Sequence, residues 1–334
     1  MRGTFEKMAP TFFCLLCLAT AFKCDSRPAA SRAAVQSAAT QDVASTQPAE
    51  PELPLAPLKR DFKNSFPIPI GERIEYEIRF SRFPIYATVG TVAFDFPGIV
   101  PAEKAEQLIK GLNVEFKPAA GEQYFHLRGH VASKGILIAI LGIDVSDRFE
   151  TLIDTRDFSA RLSFKQLKEG KKHTVQTSLF DHQEQTVKFK LNDLNKPEAP
   201  PREKTMERKD GMLDLLSSFF FVRCQKLKEG QLLRFPVSDD DETHEFEVVV
   251  GKQEKLKTDC GPVKARRLEP KLFGPGRVFS RKGEMTMWVS DDSKHVPLRL
   301  IAKTSGGTIS AKLTNFKKNC KIIEPDPEQP DSEK

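Results

Sequence analysis

From Arg73 to Phe80 the chain alternates without a break, with Ile74, Tyr76, Ile78 and Phe80 set against Arg73, Glu75, Glu77 and Arg79. Successive side chains of a strand point to opposite faces, so this pattern makes a β-strand buried on one side only. The pattern recurs where Phe158, Ala160, Leu162 and Phe164 alternate with Ser159, Arg161, Ser163 and Lys165. It recurs again in Val187, Phe189 and Leu191 around Lys188 and Lys190, and in Ile309, Ala311 and Leu313 around Ser310 and Lys312. Further strands are predicted near 86–96, 110–117, 123–132, 144–154, 172–180, 231–237, 244–256, 262–270, 283–290 and 296–303. Turn residues such as Gly121, Asp181, Gly261 and the pair Gly306 and Gly307 fall in the gaps. One-sided strands with short links make an antiparallel meander rather than a parallel α/β sheet. The predicted fold is mainly β: a large curved antiparallel meander closing into a barrel or half-barrel. One segment departs from it. Met212, Leu215, Leu216, Phe219 and Phe220 follow helical spacing, so a short helix is predicted near 210–224 with Asp210 as its N-cap.

The two ends of the chain read differently. Arg2 and Lys7 precede an apolar stretch from Ala9 to Ala19, followed by Ala19-Thr20-Ala21. This is the layout of a secretory signal peptide over 1–21, too short for a membrane span. Cys24 raises lipid anchoring as a minor alternative, but Lys23 before it is not the small residue a lipobox uses. Residues 22–66 are rich in Ala, Ser, Pro and Gln and poor in apolar bulk, as expected of a disordered tether. The acidic, proline-containing tail 321–334 reads the same way. That leaves a β domain over 67–320, with the Pro-rich stretch near 195–210 as a junction between two β halves. The expected location is the periplasm or outer cell envelope.

Charge and composition narrow the partners. The chain has 52 Lys and Arg against 46 Asp and Glu. So small and dispersed a surplus speaks against nucleic acid as a partner. No apolar run is long enough for a transmembrane span in the mature chain. Phenylalanine is unusually frequent, 25 residues against three Tyr and one Trp. Either a packed core or an apolar cavity inside a curved sheet uses them, and the pattern alone does not separate the two.

No catalytic motif is present. The nucleophile elbow G-x-S-x-G is missing. His244-Glu245 opens a zinc-protease pattern that Val248 breaks. His126 and His130 on one strand stand too far apart for one zinc. Asp239, Asp240, Asp241 and Glu242 form an acidic hairpin turn without the spacing of a calcium loop. Asp291 and Asp292 are adjacent carboxylates of a kind that can perform acid–base work, but at a hairpin the favoured reading is that they bond turn amides. Arg299 is expected to pair with Asp292 across their hairpin. Asp214 and Arg223 are expected to anchor the helix to the sheet. No cofactor is implied. In the six-strand meander from 231 to 317 alternate strands reverse, so Cys260 and Cys320 share one end of the sheet and form the candidate disulfide.

Three stretches resemble the bacterial family catalogued as domain of unknown function 3108. They are FPIPIGERIEYEIRF around Tyr76, DLLSSFFFVR from Asp214 to Arg223, and MWVSDDSKHVPLRLIAKTSGGTISAKL from Met287, which contains Trp288, Asp291, Asp292 and Arg299. The resemblance spans about 67–317 and implies an exported, envelope-associated, mainly β protein with no established activity. It supplies no catalytic residues. Three readings stay open. The first is a non-catalytic binding or assembly protein holding an apolar or glycan ligand, either a lipid or an envelope glycan, in the curved sheet. The second is a structural protein acting on an envelope protein partner through its outer surface. The third is a hydrolase using Asp291 or Asp292.

Overall fold

The computed structural model describes residues 53–62, 66–110, 116–136, 138, 142, 144–258, 261–271, 284–304 and 306–314. The signal segment 1–21, Cys24, most of the tether, the acidic tail and the Cys260–Cys320 pairing lie outside them.

The first half of the chain forms β1 (Glu72–Arg82), β2 (Ile85–Pro101), α1 (Ala102–Lys110), β3 (Gln123–Ser133), β4 (Ser146–Asp154), β5 (Ala160–Glu169), β6 (Lys172–Asp181), β7 (Thr186–Asp193) and β8 (Arg202–Glu207). The second half forms α2 (Leu215–Arg223), β9 (Leu232–Asp239), β10 (Glu242–Thr258), β11 (Gly261–Lys271), β12 (Glu284–Ser290), β13 (Pro297–Thr304) and β14 (Gly307–Leu313). All fourteen strands belong to one sheet in the order β8-β7-β6-β5-β4-β3-β2-β1-β14-β13-β12-β11-β10-β9. Neighbours are antiparallel, including β1 and β14, which pair Tyr76 with Leu313 and Phe80 with Ile309. The expected two halves are therefore one continuous ladder.

That order has a consequence. β8 and β9 follow each other in the chain yet form opposite edges of the sheet. Laid flat, fourteen strands would separate those edges by roughly 60 Å at the usual strand spacing. Instead the sheet curls. Within two residues of the link, Met212 O accepts from Ala160 N of β5 while Leu213 N donates to Pro236 O of β9. The link also carries α2 across the interior. Its N-terminus is held at the β4–β5 wall, where the Asp214 carboxylate accepts from Thr151 Oγ1 at 2.6 Å and Ser163 Oγ at 2.7 Å. Its C-terminus is held at β1, where buried Arg223 meets Glu72 with two bonds of 2.6 and 3.0 Å. Asp214, not Asp210, is the N-cap, because it accepts from Ser217 N in a reciprocal capping box.

The turns at 83–84, 170–171 and 240–241 and the C-terminal ends of β3, β11 and β13 gather at one end of the curl, the upper rim. At the opposite end, the base, rings close the interior. Phe66 stacks on Phe125 at 4.3 Å, Phe62 meets Phe158 at 5.2 Å, and Phe221 meets Phe158 at 5.4 Å and Phe235 at 5.2 Å. Each such pair adds about 0.5–1.5 kcal/mol beyond area burial.

Three expectations need correction. The tether ends earlier than 66. Ala56 N donates to Leu232 O, Arg60 lies 4.8 Å over the Phe221 ring, and Phe62 is buried, because this strap covers the Leu232 end of the β9 edge, which Leu213, bonded at Pro236 and Ser238, leaves open. The strand expected near 110–117 is absent at its described ends, where Lys110 closes α1 and 116–117 are irregular, while 111–115 lie outside the described residues; α1, which was not expected, packs Ala105 and Ile109 on Tyr124, Leu152 and Leu162 of the outer sheet face. β5 is inverted: Leu162 lies under α1 and Phe164 shares that outer face, while Ser163 and Lys165 point inward.

Arg223→Met strands the Glu72 carboxylate in an apolar base. It is expected to lower stability in urea unfolding by about 3–5 kcal/mol, with most of that loss recovered in Arg223→Met/Glu72→Met.

Candidate functional site

Above α2 the interior is not filled. A cavity of about 120 Å³ lies between the helix and both halves of the sheet. Its floor is Leu215, Phe219 and Val222 of α2, and its walls include Phe94, Phe149, Val248, Leu300 and Ala311. Phe246, Pro270, Met285 and Met287 line the wall of β10 to β12 and are only half-buried, so apolar surface continues toward the upper rim. Phe219 stacks on Phe94 at 4.2 Å and fixes the floor against β2. This volume suits one aromatic ring or a few methylene groups, and a lining of this kind stays dry without a ligand. The two thioethers give that wall adaptable shape.

Tyr76, Lys165, Asp214, Ser218 and Arg299 bring polar groups to the edge of this apolar space, Lys165 from the side of β5. Lys165 Nζ lies 2.6 Å from Asp239 Oδ1 and 2.9 Å from Asp240 Oδ1. Burial works against its charge, but the two carboxylates outweigh burial and raise the ammonium pKa. Asp240 is buried and crowded by Asp239, and it holds its proton more tightly than an ordinary carboxyl even though Lys165 pulls the other way. The acidic turn therefore already carries its cation, in Lys165 and in Arg202, which pairs with Asp241. Lys165→Met is expected to cost about 3–5 kcal/mol at neutral pH in urea titration, because two buried carboxylates lose their counter-charge.

Of the other sequence candidates, Tyr76, Asp214 and Arg299 also line the cavity, while Asp291 and Asp292 lie in the turn after β12. The Tyr76 hydroxyl donates to Pro297 O at 2.8 Å, and burial pushes its pKa far up although Arg223 opposes. Asp291 accepts from Arg266 Nε and Nη2, both at 3.1 Å. Asp292 Oδ1 accepts from Ser290 Oγ at 2.8 Å and from the amides of Lys294 and His295 at 3.0 Å. The adjacent carboxylates thus serve different partners in a tight turn and do not converge. Arg299 is not on Asp292. It lies 5.8 Å over the Trp288 ring directly opposite on β12, while Trp288 Nε1 donates to Glu254 Oε2 at 3.0 Å. The single turn between Trp288 and Arg299 leaves the guanidinium facing the indole across the ladder, where a cation–π contact forms without desolvating Asp292. His126 is held by Glu150 at 2.7 Å on the outer face. Cys224 is a buried free thiol, pushed up to about 12 by burial.

His295 closes the base turn, with Nδ1 donating to Arg223 O at 2.9 Å. Burial lowers its pKa below 6.5, with the Arg223 carbonyl and Asp292 opposing. The folded state thus binds fewer protons than the unfolded chain, so stability falls as pH drops below about 6.5 toward the folded value. Urea midpoints measured from pH 7.5 to 5 are expected to decline in the wild type and to decline less in His295→Gln.

Sequence reasoning missed Glu72, Thr151, Ser163 and Lys165. The polar members of an alternating strand read as solvated, and no local signal tells that β5 shows both faces to protein.

The sequence model of the family described as "Protein of unknown function (DUF3108)" matches residues 96–314. The chain belongs to this family. The match takes in β3 to β14 and both the α2 and Trp288–Arg299 stretches, while the opening stretch around Tyr76 precedes it. Among solved structures, the chain is similar to a β-barrel-like protein of domain of unknown function DUF1849 from Brucella abortus, at 13% identity and TM-score 0.44, over 73% of this chain and 96% of that one. It is also similar to a putative exported protein with a YmcC-like fold from Bacteroides fragilis, at 7% identity and TM-score 0.29, over 74% of this chain and 96% of that one. No curated protein matches the chain.

Proposed function

We propose that this DUF3108 protein is an exported, non-catalytic envelope protein that holds the apolar part of an amphiphile in its barrel. The observation that carries this reading is the cavity of about 120 Å³ above α2, continued by half-buried Phe246, Pro270, Met285 and Met287. Natural cores are packed close to crystal density, so an unfilled apolar space opening toward the surface calls for an occupant. A lipid-like chain fits the lining better than a glycan, which needs hydrogen-bonding partners; Tyr76, Lys165, Asp214 and Ser218 at the lining are already bonded to protein, and Arg299 stacks on Trp288. The export reading rests on the signal-like segment ending at Ala21.

The test is native mass spectrometry of protein purified without detergent, followed by solvent extraction. A lipid of one chemical class at about one per chain is the expected result. Met287→Trp, which fills the cavity from β12, is expected to release it with little change in the urea midpoint. A bare mass that also takes up no fatty acid in titration would overturn the proposal.

A further inference from the structure

At the upper rim, Phe83 at the β1–β2 turn is 86% exposed, Tyr86 is 72% exposed and Ile136 is 81% exposed. They stand close together. Gly135, next to Ile136, approaches Thr88 so closely that a Cβ there would lie 2.2 Å from Thr88 O, and Lys134 N donates to Val89 O. The β13–β14 turn lies alongside, where Arg82 Nη1 donates to Gly306 O. Exposed Arg82 and Lys134 flank the apolar side chains, and the nearby carboxylate of Glu77 is already paired with Arg79 at 2.7 Å.

We propose that this corner docks on an anionic lipid bilayer, with Phe83, Tyr86 and Ile136 entering the headgroup region. Single exposed apolar residues are ordinary, but three large ones on adjacent loop tips, escorted by two cations, are not. Amphipathic rings and aliphatic tips settle at the membrane interface, and Arg and Lys beside them meet anionic phosphates. The three side chains stand with most of their surface in solvent, not packed into a groove. The corner suits a deformable surface better than a second folded protein. The apolar cavity also rises toward this rim, which would put its mouth against the lipid that supplies the occupant. The docking stands on the exposed corner alone, without the ligand reading.

The experiment uses the full chain, so residues 1–52 are the same in every variant. Phe83→Trp is mixed with phosphatidylglycerol/phosphatidylcholine vesicles carrying brominated acyl chains, with the wild type reporting the background of Trp288. Extra quenching that disappears in pure phosphatidylcholine or at high salt is the expected result. In co-sedimentation, Phe83→Ser/Ile136→Ser is expected to weaken vesicle partition about tenfold. Ile70→Ser, at a side chain 69% exposed at the base, is expected to leave partition unchanged. No quenching beyond the wild-type background would overturn the proposal. So would vesicle-independent self-association abolished by the Phe83→Ser/Ile136→Ser change, which would make the corner a contact between copies. Fatty acid uptake measured on Phe83→Ser/Ile136→Ser without vesicles separates the two readings, since neither residue lines the cavity and uptake should persist if only docking is lost.

Discussion

Arg223 and Glu72 face each other in the base of the barrel, nearly out of reach of water, and most of the architecture follows from the crossing that this pair ends. The chain completes eight strands, must return to the far edge of the same sheet, and does so through the interior. A helix laid through a curled sheet needs fixed ends. Asp214 supplies one by capping the helix while accepting from Thr151 and Ser163 on the opposite wall. Arg223 supplies the other. Isolated, either charge would be costly to bury; with bidentate geometry the arginine satisfies both carboxylate oxygens and locks the register of helix against strand.

Because α2 lies across the lumen, it divides the interior. Below it, rings from the strap, the β4–β5 turn, β2, β3 and β9 meet edge and face and leave little room. Above it, Leu215, Phe219 and Val222 of the helix do not fill the space between the walls, so the cavity remains. The high phenylalanine count thus serves both ends. Phe62, Phe66, Phe125 and Phe158 pack the base, while Phe94, Phe149, Phe219 and Phe246 line the open space. The strap from 53 to 62 completes the base by covering the Leu232 end of β9, an edge that would otherwise present unpaired backbone to other chains there.

Particular residues show how far the sequence could be read. The β1 alternation, the six strands from β9 to β14 and the helix around Phe219 and Phe220 were all legible, because each expresses its burial in local periodicity. The α2 anchors were visible as residue types, Asp214 and Arg223, but their partners were not. Glu72 stands at the very start of β1, and Thr151 and Ser163 sit on strands whose polar members resemble any solvated face. Arg299 and Trp288 illustrate the same limit in a hairpin. The pairing of opposite charges suggested Asp292, whereas strand register places the indole directly opposite and the turn amides claim the carboxylate.

The class of this protein was written in the sequence: one-faced strands at short spacing and one helix interrupting them. These are local properties, set by period, propensity and composition within a few residues. Only the tertiary structure decided which face of β5 turns inward, that α1 covers the outside of β3 to β5, that the strap belongs to the domain, and that a cavity survives above α2. Each of these depends on which distant segments meet. When a strand is covered on both sides, alternation still marks it as a strand but no longer says which side is the interior.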